Sequence, residues 1–79
     1  MLGLLWELKS PVGTSKWTVD KKVKQALKQS ENIIFDGRRT IINDNVLENR
    51  LRYAIKQHRS IKRLLFITKS EKILVIKWK

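Results

Sequence analysis

The chain is 79 residues long and 42% apolar, which makes a single small domain over residues 1–79 and is too apolar for a disordered tail. Eighteen Lys and Arg against seven Asp and Glu give a net charge of +11, so the expected partner is a polyanion, nucleic acid ahead of an anionic membrane surface. No cysteine and one histidine, His58, exclude a disulfide scaffold, thiolate metal sites and a multi-histidine zinc site within one chain, and no apolar run approaches the roughly 18 residues of a membrane span.

The first informative stretch is residues 3–11. Leu4, Leu5, Trp6 and Leu8 favour a buried strand that Pro11 must end. Side chains alternate along a strand, so Glu7 and Lys9 share one face. Opposite charges in an apolar strand are costly to desolvate unless something uses them. In a Glu-x-Lys pair the carboxylate can hold a divalent cation. The Lys can orient an attacking water or offset the charge of a pentavalent phosphorane. The plain alternative is a solvated ion pair at a strand end.

Residues 12–16 read as a loop, with Gly13 for an unusual backbone angle. Val19, Val23, Ala26 and Leu27 recur at helical spacing and predict a helix over residues 17–28. Thr18 is its expected N-cap, Asp20 suits the positive end of its dipole, and Lys21, Lys22, Lys24 and Lys28 take the outer face. Residues 32–36 form a short apolar run expected to be a strand buried on both faces. Asn43 is the expected N-cap of a second helix, with Ile42 and Leu47 as a hydrophobic staple. That helix runs to about His58, which continues an apolar stripe and reads as a packed helix end, not a ligand. Strands over residues 64–68 and 73–78 enclose a turn and return as a hairpin.

The resulting string is β-α-β-α-β-β. It predicts a small α/β domain with a mostly parallel sheet, a C-terminal antiparallel hairpin and, through right-handed crossovers, both helices on one face. The opposite apolar face and the first, edge strand would then lie open. A second copy of the chain, making a homodimer, is one expected cover.

Three runs carry a resemblance: Trp6-Glu7-Leu8-Lys9-Ser10-Pro11-x-Gly13-x-Ser15-Lys16, Gln29-Ser30-x-Asn32-Ile33-Ile34-x-Asp36-x-Arg38-Arg39, and Ile61-Lys62-Arg63-Leu64-Leu65-x-Ile67-Thr68-Lys69. Together they resemble the C-terminal tRNA-nuclease domain of contact-dependent growth-inhibition toxins, similar in turn to the PD-(D/E)xK nucleases. The resemblance implies a magnesium-dependent ribonuclease of a polymorphic toxin or mobile element. Glu7 and Lys9 would occupy its Glu-x-Lys positions, and Gln29 would be the polar residue of the following helix that reaches the active site. It also implies action in the cytoplasm of a target cell, secretion only as part of a larger protein, and an acidic immunity protein as partner. The family pattern has an upstream Asp-Phe-x-x-x-Gly hairpin with another metal-binding Asp. Here only five residues precede Trp6, so the metal site is expected to be incomplete within the chain.

Asp36, at the end of the neighbouring strand, is the candidate second metal ligand beside Glu7. Its other reading is a turn residue bonding its own backbone. Arg38 and Arg39 are expected phosphate contacts, and Ser10, Ser15 and Lys16 can hydrogen-bond a phosphate after the Glu-x-Lys strand. Lys62 and Arg63 read as surface charge, Trp6 as core, and Trp17 as an exposed ring that could stack on a base. Two classes of function follow: a metal-dependent RNase, acting on tRNA or other RNA or DNA, and a non-catalytic basic module that binds nucleic acid or itself.

Overall fold

The computed structural model describes residues 5–12 and 16–79, residues 16 and 17 by their backbone alone. The elements follow in chain order as β1 (Glu7–Lys9), α1 (Lys16–Leu27), β2 (Asn32–Asp36), α2 (Asp44–Gln57), β3 (Arg63–Ile67) and β4 (Ile73–Trp78). The expectations for Leu4, Gly13 and Ser15 lie outside the described residues, as do those for the side chains of Lys16 and Trp17.

The sheet runs β1-β2-β3-β4, with the first three strands parallel and β4 antiparallel to β3. Neighbouring strands in chain order, joined by right-handed crossovers, put α1 and α2 on the same face. Between sheet and helices lies the core: Val19, Val23 and Ala26 of α1, Leu47, Leu51 and Ala54 of α2, Ile33 and Phe35 of β2, Leu64 and Phe66 of β3, and Ile76 of β4. These alternate along the strands and recur every three to four residues along the helices, the two periods in the sequence.

Local chemistry explains most of the boundaries. The Asn43 side chain accepts the Asn45 N–H at 2.8 Å and starts α2, and Ile42 packs against the core cluster that contains Leu47. His58 caps the other end, its N–H bonded to the Ala54 carbonyl. At α1 the expectation fails. Thr18 lies within the helix, and Asp20 reaches across to Arg50 of α2 at 2.8 Å instead of serving the helix start. Asp20 lies just beyond the first turn of the helix, where the dipole no longer acts on it, and a tertiary partner is within reach instead.

The other face of the sheet is open. Leu8, Ile73, Val75 and Trp78 are each more than half exposed, and Ile34, Leu65 and Ile67 beneath them are half-buried. β2 is therefore shielded from both sides only in part. At one end of this face Trp6 lies 5.9 Å from Trp78, and the Arg63 guanidinium sits 5.1 Å from the Trp78 ring. Arg63 also donates to Asn32, whose amide donates to the Leu5 carbonyl at 3.1 Å. Trp6 is thus a surface ring on the open face, not part of the main core. Arg63 is a structural cation holding that end together, not loose surface charge.

Candidate functional site

Register decides which residues can meet. Glu7 pairs with Ile33 and Lys9 with Phe35, and paired residues of neighbouring strands share a face. Ile33 and Phe35 face the helices, so Glu7 and Lys9 do too. They stand at the free edge of the sheet, partly covered, with Lys9 Nζ 3.4 Å from Glu7 Oε2. The expected side-by-side carboxylate and ammonium is therefore present.

Asp36 is on the opposite face. It alternates with Phe35 and pairs with Ile67 of the open side, so the sheet itself separates it from Glu7. Its carboxylate is also fully engaged. One oxygen accepts the Arg38 N–H and Nε at 3.0 Å each, and the other accepts the Arg38 terminal nitrogen at 2.8 Å. This is the turn reading of Asp36, closed by a guanidinium fork. Arg38 in turn reaches Glu71 at 3.3 Å, so it acts as an intramolecular clasp whose charge is compensated within the chain. Arg39 is exposed beside it. Lys69 ties the same loop, donating to the carbonyl oxygens of Gly37 and Ile42 and to Thr40.

The side-chain hydrogen bond from Arg38 holds the Asp36 carboxyl below its ordinary value of 3.8. Burial opposes this, while the Arg38 N–H and charge and, last, the Ser10 hydroxyl assist it. Ser10 follows Lys9 in the chain and so lies toward the side of Asp36, away from the Glu7–Lys9 pair. Because the folded-state value is lowered, Asp36 stabilises the fold fully above the unfolded value and loses that contribution as pH falls through the folded one. Thermal melts from pH 6 to 2 should show wild type more stable than Asp36→Asn near neutrality, with the gap closing below about pH 4. A gap that persists at pH 2 would remove the charged Asp36 as its source.

Gln29 does not sit on a helix. α1 ends at Leu27, and Gln29 lies exposed in the turn that follows, its N–H bonded to Ala26. Helical phase points to other residues. Asp20 faces α2 through Arg50. At about 100° per residue, Lys22 and Gln25 fall on the opposite flank of α1, the one overhanging β1. Both are half-buried. Their spacing from Val23 and Ala26 was readable in the sequence, but the side of α1 on which α2 would lie was not.

Magnesium generally takes one or two carboxylates together with substrate phosphates. Among the described strand residues, Glu7 is the one carboxylate on the Lys9 face. No group of three or more His, Cys, Asp or Glu capable of holding a metal ion occurs among the described residues. With Asp36 behind the sheet, these residues do not build the implied two-carboxylate site. What they can do unaided is accept a proton at Glu7 and stabilise developing phosphoryl charge at Lys9.

A family model for the contact-dependent growth inhibition CdiA C-terminal domain matches residues 1–73. No curated protein sequence matches the chain. Among solved structures, the fold is similar to a chain of the CdiA-CT/CdiI toxin and immunity complex from Burkholderia pseudomallei, with a TM-score of 0.67 at 17% identity. That likeness covers 92% of this chain and 55% of the other, so this chain spans about half the length of the one it matches. Among the described residues no helix is long and apolar enough to cross a membrane.

Proposed function

This chain belongs to the contact-dependent growth inhibition CdiA C-terminal domain family, and on that premise we propose that its toxicity is the cleavage of RNA, tRNA first, at Glu7 and Lys9. One observation carries the reading: a carboxylate and an ammonium 3.4 Å apart at the free edge of a sheet, in a chain of net charge +11. Glu7 accepts the proton of the attacking ribose 2′-hydroxyl, whose oxygen displaces the 5′-oxygen of the next nucleotide from phosphorus, and the proton held on Glu7 then passes to that departing oxygen. Lys9 donates to a non-bridging phosphoryl oxygen, where negative charge accumulates as the attacking oxygen bonds to phosphorus. Lys22 and Gln25, half-buried on the flank of α1 toward β1, are the nearest helical candidates to assist. The Glu7–Lys9 contact keeps both side chains on one side of the strand before substrate arrives, which lowers the ordering needed at the transition state.

The partner proposed on the same grounds is an acidic immunity protein, as the matched structure is a toxin with its immunity protein and this chain is strongly basic. Binding without cleavage is the second reading, favoured by the single carboxylate beside Lys9.

The experiment is tRNA incubated with wild type and with Lys9→Met, each in chelator, in Mg²⁺ and in Mn²⁺. Loss of the ammonium should lower kcat by about 10²–10³ with little change in KM. Wild type that leaves tRNA intact in all three conditions ends the catalytic reading and leaves the binding one.

A further inference from the structure

Ile55, Lys56 and Arg59 at the end of α2 and Lys77 and Lys79 at the end of β4 line a groove of about 600 Å³. Four cations face it and no acid does. The seven Asp and Glu side chains are all committed elsewhere. Glu7 pairs with Lys9, Asp20 with Arg50, Glu31 with Lys62, Asp36 and Glu71 with Arg38, Asp44 with Lys69, and Glu48 with Arg52. None of the groove's four basic side chains makes an ion pair among the described residues, and they converge from two elements on one groove.

A backbone irregularity builds it. β3 and β4 shift register between Leu64, which pairs with Lys77, and Leu65, which pairs with Val75, so Ile76 is an extra residue. Regular alternation from buried Ile76 would send Lys77 to the open face. The bulge keeps Lys77 on the helix side beside Lys56 and turns Trp78 to the open side, opposite Arg63. The dipole at the end of α2 accounts for Lys56 and Arg59 by itself. It does not account for two further lysines brought to the same place by a bulge.

We propose that this groove seats the phosphate backbone of the RNA, with Lys56, Arg59, Lys77 and Lys79 as its contacts. The inference rests on the reading of Glu7 and Lys9 as the cleaving pair and adds where the substrate is held. Glu7, Ile33, Leu64 and Lys77 form one row across the sheet. Three strand spacings, roughly 14 Å, therefore separate the two positions on the same face. Arg38 differs from these four in that its charge is compensated by Asp36 and Glu71.

The test uses the Glu7→Gln background, so that the RNA stays intact, and a fluorescein-labelled 20-nucleotide single-stranded RNA. One variant carries Lys56→Gln, Arg59→Gln, Lys77→Gln and Lys79→Gln. A control carries Lys21→Gln, Lys24→Gln, Lys28→Gln and Lys72→Gln and has the same net charge. The groove variant should bind about tenfold or more weakly at 0.1 M salt, and its slope of log K against log salt should shrink by about 3, the release from four lost phosphate contacts. The control should change slope by less than about 1. Equal losses in the two variants would mean diffuse charge and overturn the proposal. Tighter groove-dependent binding of poly-L-glutamate than of the RNA would also overturn it, by assigning the groove to an acidic protein. If melting shows the fourfold variant unfolded, Lys77→Gln with Lys79→Gln carries the same test with about half the slope change. Groove-dependent binding alongside undiminished cleavage by Glu7 and Lys9 variants would sink the cleavage reading and leave the groove standing.

Discussion

Replacing Glu7 with Gln is expected to lower kcat for tRNA cleavage by about 10²–10⁴, the range for losing a positioned acid–base group. The substitution keeps side-chain volume and hydrogen-bonding capacity at a partly covered strand position. It removes only an ion pair of the kind that contributes about 0–1 kcal/mol. Stability should therefore hold within about 0.5 kcal/mol, so lost turnover reflects chemistry and not unfolding. Steady-state cleavage of labelled tRNA, beside a thermal melt of the same preparation, separates the two. Turnover equal to wild type in a folded Glu7→Gln protein would remove Glu7 from the mechanism. The contrast with Lys9→Met is informative as well. If the two act as one unit, the double variant should be scarcely slower than the worse single one.

Gly37→Ala should be the most damaging single-methyl change for the fold. Gly37 is buried where β2 ends, its N–H bonded to the Ile67 carbonyl at 3.0 Å. A Cβ there would sit 2.7 Å from the edge of the Phe66 ring and 2.8 Å from a Leu47 methyl. The backbone at Gly37 is not in the left-handed region, so the requirement is for space and not for conformational freedom. Phe66 and Leu47 are both fully buried in the core and have little room to yield. Overpacking of this kind costs about 1–3 kcal/mol, which in a domain this size lowers Tm by roughly 5–20 °C. Because Gly37 lies between Asp36 and Arg38, the clasp should loosen with it, and the acid sensitivity assigned to Asp36 should weaken in the same variant. A Tm unchanged within 2 °C, on the order of a quarter to half of a kcal/mol, would show that the end of β2 shifts freely.

The fold was largely legible because its signals are local and redundant. β2 and β4 fall on the expected residues, and α2 starts at the expected cap. Each is marked by a periodic apolar pattern together with a breaker or capping side chain. β3 and α1 are displaced by one residue, and β1 is only three residues long although its apolar run suggested more. A strand's length is set by its partner, and β2 offers β1 only a short stretch of free edge.

The site was legible in part for the same reason. Alternation along one strand is enough to place Glu7 beside Lys9. Asp36 looked equally available because it too ends a strand, but whether it joins Glu7 depends on the relative register of two strands. A shift of one residue moves every side chain of a strand to the other face. Gln29 lies off the helix that the resemblance implied for it, because α1 stops two residues earlier.

By itself, then, the sequence determined the α/β succession, the single open sheet face, the cationic character and the adjacency of Glu7 and Lys9. These follow from near-neighbour geometry and composition. Tertiary structure alone decided that Asp36 lies on the opposite face of the sheet from Glu7, that Gly37 is required for space, and that a bulge at Ile76 gathers Lys77 and Lys79 with the end of α2. Each of these depends on strand register or on contacts between residues far apart in the chain, and no local pattern of side chains encodes them.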